Sequence, residues 1–173
     1  MPKIEVILVD RKDNKIGIEE KLKAHKEGKL HRSFSIFVFN KKGELLIQRR
    51  AKAKYHSGGL WSNTCCSHPR PGKNLLKEAK KRLKEEMGIE CKLKRVLSFY
   101  YKVRVGNLIE HEFDHVFFGK FEGNPKPNPK EAEDWKWINK NALWKDMKEN
   151  PEKYTAWFKI IFNRVLNKAK QDL

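Results

Sequence analysis

The chain has 173 residues, of which 39% are hydrophobic and 11% aromatic, and its net charge is +17. This composition predicts a single folded domain over residues 1–173 and excludes a disordered chain. No apolar run approaches the roughly 18 residues that span a bilayer. The N-terminal residues also lack the basic segment and long apolar stretch of an export signal. We therefore expect a cytoplasmic protein with no membrane partner. We also expect a monomer.

The charge and the cysteines narrow the choice of partner and compartment. Lysines recur along the whole chain, and charge spread in this way is typical of a solvated surface rather than of a nucleic-acid stripe. We expect no specific nucleic-acid partner, although a nucleic-acid-binding module stays open as an alternative. Cys65, Cys66 and Cys91 make an odd count with two adjacent members, which favours reduced thiols over a disulfide framework.

The first half of the chain predicts three strands and one short helix. Residues 4–10 predict a strand, RKDNKIG a turn, and residues 19–26 a helix. SFSIFVF at 33–39 alternates with period two, which predicts a strand. After the turn KKGE, the run LLIQRRA is predicted to be its hairpin partner. Residues 56–73 show no period and predict a long loop, and such loops in compact domains are usually functional.

The second half begins with a helix that Asn74 caps and Gly88 ends. Its apolar positions at helical spacing are Leu76, Ala79, Leu83 and Met87. Residues 91–105 and 108–121 predict a β-hairpin around Gly106-Asn107. EAEDWKWI predicts one more strand, and a final helix spans about 155–170. Together these elements predict an α+β fold in which helices flank a mixed β-sheet.

Histidines and carboxylates indicate a candidate metal site. His25 and His31 bracket the end of the first predicted helix, and His68 lies in the long loop. Glu110 and Glu112 are two residues apart on a predicted strand, so both point to one face while the intervening histidine points to the other. Three histidines and two carboxylates suit an octahedral divalent ion better than a tetrahedral zinc.

Two alternatives to this metal site stay open. Each histidine could be an ordinary surface or core residue, and the two glutamates could be exposed strand carboxylates. A zinc site made by Cys65, Cys66, His68 and His56 is the second alternative. It is disfavoured because adjacent cysteines cannot easily both reach one tetrahedral ion.

The helix that ends in LKEEMGI carries a partial motif. Glu85 and Glu86 before the terminal Met-Gly resemble the end of the Nudix box, in which glutamates hold magnesium on a diphosphate. Where that pattern has glycine, glutamate and arginine–glutamate, this chain has Ser67, Lys73, Lys81 and Arg82. The hydrolase's metal cluster is therefore depleted, and the segment could also be an ordinary amphipathic helix end.

The run WSNTCCSHP at 61–69 is similar to the signature of the type I isopentenyl-diphosphate isomerase family. The order of the surrounding segments agrees over about residues 4–165: two histidines, FSIFVFN, LLIQRRAKAK, the signature, EEMG, EHE and a late tryptophan. The resemblance implies a Nudix-like α/β/α sandwich. It also implies that the chain interconverts isopentenyl diphosphate and dimethylallyl diphosphate through a tertiary carbocation. A Nudix hydrolase of a nucleoside diphosphate derivative is the alternative.

The resemblance also implies roles for individual residues. The catalytic residues are expected to be Cys66 as the thiol, Glu112 as the opposing acid–base group, Tyr101 as its assistant and Trp157 as the face that meets the cation. The expected metal ligands are His25, His31, His68, Glu110 and Glu112 for a divalent ion such as Mn²⁺ or Zn²⁺, and Glu86 for a Mg²⁺ that bridges the substrate's diphosphate. The residues expected to bind the diphosphate are Lys21, Arg50, Lys54 and Arg82.

The chain departs from the family pattern in two places. One residue fewer than expected separates His25 from His31, and the stretch between Tyr101 and Glu110 is also one residue short. The second departure leaves Tyr100 open as a substitute for Tyr101. The chemistry fits the residue types, since moving a double bond needs one proton added and one removed, and a thiol and a carboxyl on opposite faces can supply both transfers.

Overall fold

The structure is a computed structural model that describes residues 2–172, with side chains described as far as Lys168. Along these residues nine strands join in one sheet and four α-helices accompany it. The strands are β1 (Glu5–Val9), β2 (Lys15–Glu20), β3 (His31–Phe39), β4 (Leu45–Arg50), β5 (Trp61–Ser62), β6 (Cys65–Ser67), β7 (Leu93–Val105), β8 (Leu108–Lys120) and β9 (Ala132–Ile138). The helices are α1 (Lys21–Glu27), α2 (Leu75–Met87), α3 (Lys140–Glu149) and α4 (Ala156–Asp172).

Strand β3 is the hub of the sheet. It pairs in parallel with β8 and antiparallel with β1, β4 and β6. The β7–β8 hairpin is antiparallel over thirteen-residue strands and turns at Gly106, whose φ of +59° is a conformation that glycine adopts at no steric cost. The sheet is therefore mixed, as the sequence predicts.

The alternation along β3 builds a core on each face of the sheet. Phe37 and Phe39 pack in a cluster with α3 and α4, whereas Phe34, Ile36 and Val38 pack in a second cluster with α2. Each of these side chains is fully buried, and burying one stabilises the fold by about 1.5–3 kcal/mol. Helices thus cover both faces, and the predicted α/β/α sandwich is confirmed.

Two helices follow their sequence patterns closely. The side chain of Asn74 accepts a hydrogen bond from the Lys77 backbone N–H, and Gly88 ends α2 in the left-handed conformation. Leu76 is the exception, because it is exposed and its neighbour Leu75 packs against the core instead. The apolar face of α4 is fully buried, and it comprises Phe158, Ile161, Phe162 and Val165. Within the described residues, every helix is too short or too polar to cross a membrane.

Several predicted elements are wrong at their boundaries or partners. Residues 15–20 form a strand that pairs with β1, so the first helix begins at Lys21 rather than at residue 19. The run after KKGE meets β3 only at the Phe39–Leu45 pair and is chiefly the partner of β9. The long loop contains the short strands β5 and β6, and α3 had no counterpart in the sequence prediction. The β4–β9 pairing is long-range, and a local period does not encode it.

Candidate functional site

The predicted site residues lie together in one cleft. Of the thirteen, all but His31 line it, and His31 lies directly behind His68. The predicted residues on its walls are Lys21, His25, Arg50, Lys54, Cys66, His68, Arg82, Glu86, Tyr101, Glu110, Glu112 and Trp157. They come from α1, α2, α4, four strands and two connecting segments, so only the tertiary fold brings them together.

Strand register places Glu112 at the centre of the cleft. On β8 it pairs with His31 of the parallel strand β3 and with Tyr101 of the antiparallel strand β7. Side chains of paired residues share a face of the sheet, and Glu112 therefore receives a partner from each side. Its Oε1 lies 3.6 Å from His31 Nε2 and 3.0 Å from His68 Nε2, and its Oε2 accepts a 2.8 Å hydrogen bond from the Tyr101 hydroxyl.

Backbone contacts fix the tautomers of two histidines. The Nδ1 atoms of His25 and His31 lie 2.7 and 2.8 Å from the carbonyl oxygens of Lys21 and Lys29. A carbonyl oxygen only accepts, so Nδ1 carries the hydrogen, and in the neutral form of each ring the lone pair of Nε2 faces the cleft. This arrangement, in which a carbonyl orients the far nitrogen, is typical of metal-binding histidines.

The resulting cluster suits a divalent cation. The ligand atoms of His25, His31, His68 and Glu112 all lie within 4.8 Å of one another. The Nε2 atoms of His31 and His68 are only 3.2 Å apart, and a shared cation relieves such crowding of nitrogen lone pairs. Glu110 lies beside this group, with Oε2 3.2 Å from His25 Nε2. The nitrogen and oxygen donors present fit the predicted metal.

The electrostatics of the cluster favour a positive charge. Burial raises the pKa of Glu110, and the nearby Glu112 charge adds to that effect. Burial also acts to raise the pKa of Glu112, but the neighbouring His31 and His68 outweigh it and hold that pKa well below its usual range. Burial lowers the pKa of His68 to about 3. The buried Glu112 carboxylate therefore faces the neutral imidazole of His68, and these are the charge states in which a carboxylate and a histidine bind a metal.

The two adjacent cysteines have different environments because strand β6 turns them to opposite faces. Cys65 is fully buried in the cluster with α2, while Cys66 lines the cleft. Burial raises the pKa of the Cys66 thiol to about 12, so the sulfur is protonated at neutral pH. No cysteine joins the metal-competent group in the described part of the chain, and the zinc site of Cys65, Cys66, His68 and His56 is wrong.

The structure separates the two candidate tyrosines. Tyr101 is buried and donates its hydroxyl hydrogen to Glu112, whereas Tyr100 points to the other face and is 43% exposed. Trp157 is 4% exposed, lies at the start of α4 and presents part of its ring to the cleft. The guanidinium carbon of Arg50 lies 5.1 Å from the centre of this ring.

The four predicted diphosphate-binding cations fall into two pairs. Within the described residues, no carboxylate forms an ion pair with Lys21 or Arg50, and the buried Arg50 Nε has no hydrogen-bond partner. Burial, followed by the charges of Lys54 and Arg50, lowers the pKa of Lys21. Lys54 and Arg82, by contrast, are paired with carboxylates. Uncompensated cations at the cleft wall attract an anionic substrate.

Glu86 lies at the end of the cleft next to Arg82. Its Oε1 accepts a 2.7 Å hydrogen bond from Arg82 Nη2, and its Oε2 accepts a 3.2 Å bond from Gln48 Nε2. Arg82 also donates to Glu85 at 2.8 Å. The guanidinium therefore lies among carboxylates at a position where the hydrolase pattern supplies a further glutamate.

Four further residues line the cleft beyond the thirteen predicted ones. These are Ser35, Tyr55, His56 and Ser67. His56 meets the Trp157 ring edge-on with centroids 5.5 Å apart, and its Nε2 lies 3.4 Å from Glu110 Oε1. The available signal was the Tyr55-His56 aromatic pair just before the glycines of the long loop. The loop around this pair shows no helical or strand periodicity, so the sequence does not predict where the two side chains lie. Only the tertiary fold brings them to the cleft.

Asp114 continues the line of carboxylates along β8. It is fully buried, its Oδ1 accepts a hydrogen bond from the Ser33 hydroxyl at 3.1 Å, and its Oδ2 has no partner among the described residues. Burial, together with the Glu112 charge, raises the pKa of Asp114 to about 7. Asp114 is thus a third buried acid on β8, after Glu110 and Glu112, and its pKa lies near neutrality.

Comparisons with known proteins agree on a family. The profile of the NUDIX domain matches residues 29–158. Isopentenyl-diphosphate Delta-isomerase 2 of Aromatoleum aromaticum is 54% identical over 164 residues, which cover 94% of this chain and 87% of that protein. Isopentenyl-diphosphate Delta-isomerase of Serratia proteamaculans is 51% identical over 157 residues, which cover 90% and 88% of the two chains.

Solved structures show the same fold at low sequence identity. A crystal structure of a Deinococcus radiodurans protein superimposes with a TM-score of 0.78 at 16% identity, covering 92% of this chain and 98% of that one. The MutT protein from Methanosarcina mazei superimposes with a TM-score of 0.65 at 20% identity, covering 78% and 91%. These likenesses concern the fold alone.

Proposed function

The chain belongs to the isopentenyl-diphosphate Delta-isomerases of the NUDIX family, and from that premise we propose that it interconverts isopentenyl diphosphate and dimethylallyl diphosphate. The observation that carries this proposal is the composition of the cleft. A protonated thiol, Cys66, and a carboxylate that receives a tyrosine hydroxyl, Glu112, line the same cavity as four basic side chains.

The reaction needs two proton transfers at different carbons. One group gives a proton to the terminal carbon of the double bond, which produces a tertiary carbocation, and the other removes a proton from the neighbouring methylene. We assign these transfers to Cys66 and Glu112, and the reverse reaction exchanges their roles. One proton enters and one leaves, so the substrate keeps its composition while the two side chains exchange protonation states.

The walls of the cleft protect the cation. Tyr101, Trp157 and Cys66 are largely shielded from solvent, and exclusion of water prevents capture of the carbocation. The Trp157 ring supplies an aromatic face, and such a contact stabilises a desolvated cation by about 2 kcal/mol. Tyr101 is hydrogen-bonded to Glu112, so it can relay or stabilise the proton that this carboxyl holds.

A divalent ion is expected in the histidine–carboxylate cluster. His25, His31, His68, Glu110 and Glu112 would hold it, with Mn²⁺ or Zn²⁺ as the predicted ion, because their donors face one another across a few ångströms. When bound, the ion fixes the Glu112 carboxylate and increases its acidity. Glu86 would contribute to a Mg²⁺ that bridges the diphosphate.

The diphosphate is assigned to the basic end of the cleft. Lys21 and Arg50 form no ion pair with a carboxylate among the described residues. Lys21 would bind phosphate oxygens through its single ammonium charge, and Arg50 through two parallel hydrogen bonds of its planar guanidinium. Lys54 and Arg82 extend this basic wall. Four cations suit a charged diphosphate group, and the Trp157 ring next to Arg50 offers an aromatic surface to the apolar tail.

Hydrolysis of a nucleoside diphosphate derivative is the alternative, and two observations disfavour it. Arg82 stands where the hydrolase pattern has a metal-binding glutamate, and its guanidinium is bonded to Glu85 and Glu86. The curated relatives at about 50% identity are named as isomerases.

The deciding experiment incubates the purified protein with isopentenyl diphosphate and Mg²⁺, with and without Mn²⁺, and measures the acid-labile allylic product. We expect reversible conversion that stops on chelation. A parallel incubation with nucleoside diphosphate derivatives measures released phosphate. Absence of allylic product together with phosphate release would establish the hydrolase instead. We further propose that residues 1–173 act as one domain, and a monomeric state and cytoplasmic location stay predictions.

A further inference from the structure

Glu131 lies just before β9 and contacts two cations of the cleft. Its Oε2 accepts a 2.6 Å hydrogen bond from Lys54 Nζ, and its Oε1 lies 3.3 Å from Arg82 Nη2. Lys54 belongs to the segment after β4, and Arg82 belongs to α2. One carboxylate, about one-fifth exposed, therefore joins two basic side chains that come from separate elements.

The main chain fixes the position of Glu131 independently of these cations. Its carbonyl accepts a 3.0 Å hydrogen bond from the Ala51 N–H. The preceding segment is bound to the end of α2, where Lys126 and Asn128 donate backbone hydrogen bonds to the carbonyls of Met87 and Glu86 at 2.8 and 2.9 Å. A Cβ at Gly88 would lie 2.7 Å from the Lys126 carbonyl oxygen, so this close approach requires glycine.

The charge of Glu131 balances part of the basic wall. Burial acts to raise its pKa, but Lys54 and Arg82 outweigh that effect and lower it, so the carboxylate stays ionised. Without Glu131, Arg82 would keep Glu85 and Glu86 as partners, but Lys54 would lose the carboxylate that holds its long flexible side chain in place. Holding both cations before the ligand arrives reduces the ordering cost of binding.

We propose that Glu131 is a positioning residue that holds Lys54 and Arg82 in the arrangement that binds a diphosphate. The inference rests on the proposed function, because that function assigns the two cations to the diphosphate. Glu131 acts on only one half of the basic wall, since Lys21 and Arg50 lie outside its contacts. The acid–base groups Cys66 and Glu112 are likewise not among its partners.

The test compares Glu131→Gln, which keeps the side chain's size and removes its charge, with Glu133→Gln. Glu133 lies two residues further along the same segment and pairs with Arg49 at 3.0 Å, away from the cleft. For Glu131→Gln we expect KM for isopentenyl diphosphate and Kd for inorganic diphosphate with Mg²⁺ each to rise about tenfold, with kcat changed less than about twofold. Glu133→Gln should match the parent protein in all three.

A mutant cycle with Lys54→Gln separates positioning from general destabilisation. Since Glu131 acts through Lys54, adding Glu131→Gln to Lys54→Gln should weaken diphosphate binding by much less than tenfold. Glu131→Asp, which retains the carboxylate, should recover part of the loss and serves if Glu131→Gln does not fold. An unchanged Kd in folded Glu131→Gln, full additivity in the cycle, or an equal effect of Glu133→Gln would overturn the inference.

Calorimetry with inorganic diphosphate also keeps this test apart from the proposed function. If the parent protein binds diphosphate but forms no allylic product, the isomerase proposal fails while the Glu131 comparison still stands. If the parent isomerises its substrate and Glu131→Gln binds diphosphate normally, only the positioning role is lost.

Discussion

Two polar clusters at the cleft differ in how their buried charged and polar groups are compensated. The histidine cluster comprises His25, His31, His68 and Glu112, and the ion-pair cluster comprises Lys54, Arg82, Glu86 and Glu131. In the histidine cluster the Nε2 atoms of His25 and His31 face the other ligands as acceptors, because backbone carbonyls already take their Nδ1 hydrogens. In the ion-pair cluster each carboxylate meets a cation of the chain itself.

This difference shows whether each cluster needs a bound ion to compensate its buried groups. Lone pairs that converge within 4.8 Å are unfavourable until a cation joins them, so the histidine cluster is built for an ion. The ion-pair cluster is already balanced without a ligand, so it positions basic groups before the diphosphate and its Mg²⁺ bind. Substitutions in the two clusters should therefore affect different quantities.

The greatest effect is expected at the two proton-transfer groups, Cys66 and Glu112, of which Glu112 belongs to the histidine cluster. Cys66→Ala and Glu112→Gln should each reduce kcat for isopentenyl diphosphate by about 10³-fold or more, because each removes one of two required proton transfers. Circular dichroism should show the fold intact. Cys91→Ala is the matched control, since Cys91 is not part of the cleft. Retained turnover in either variant would refute the assignment of that residue.

A divalent ion should stabilise the protein through the histidine cluster alone. At an Mn²⁺ concentration of about 100 times its Kd, binding should add about 2.7 kcal/mol and raise Tm by roughly 5–10 °C over the protein in chelator. His68→Gln should remove most of this rise because it removes one ligand.

Glu131→Gln serves as the control from the other cluster and should keep the full rise in Tm. The proposed difference between the clusters would be wrong if Glu131→Gln lost the Mn²⁺-dependent rise in Tm, or if His68→Gln kept it. Differential scanning calorimetry of each variant against its own chelated baseline gives the answer.

Asp114→Asn should stabilise the metal-free protein at high pH. The folded pKa of Asp114 is raised to about 7 from an unfolded value of 3.8. Between these values the folded state holds a proton that the unfolded state has lost, so stability falls as pH rises through this window. Asparagine removes this penalty, and after the cost of burying its amide we expect a gain of about 2 kcal/mol at pH 8.

The gain from Asp114→Asn should disappear near pH 4, where the aspartic acid is protonated in the folded state. Urea unfolding at both pH values in chelator measures it. Asp134→Asn, at a half-exposed position beside Arg49, should change stability little at either pH. An equal gain at pH 4 and pH 8 would contradict titration of Asp114 as the cause.

The smallest effect is expected at the start of α2, the helix that carries Arg82 and Glu86. Asn74→Ala removes the side-chain acceptor for the Lys77 N–H and should lower the free energy of unfolding by about 1 kcal/mol. KM for isopentenyl diphosphate should stay the same, since the cap lies at the other end of the helix from Glu86. A raised KM would show that the ion-pair cluster depends on the stability of the whole helix.

Sequence patterns predicted the parts of the site that depend on local geometry. Glu110 and Glu112 share a face because strand side chains alternate, and both are buried at the cleft. The signature WSNTCCSHP identified Cys66 and His68 through family resemblance. The contribution of His56 was missed because its loop has no period, and the early strand β2 was missed because its Lys15–Glu20 segment is largely exposed and lacks a buried alternation.

The amino-acid sequence by itself determined the fold class, the capped helix α2, the β7–β8 hairpin and the family, since these depend on neighbouring residues and on a contiguous motif. Only the tertiary structure decided that His31 lies beside Glu112, that Tyr101 rather than Tyr100 meets Glu112, and that Glu131 joins Lys54 to Arg82. The physical reason is that strand register and ion pairing between distant segments follow from how whole elements pack. That packing is a property of the complete core rather than of any local stretch.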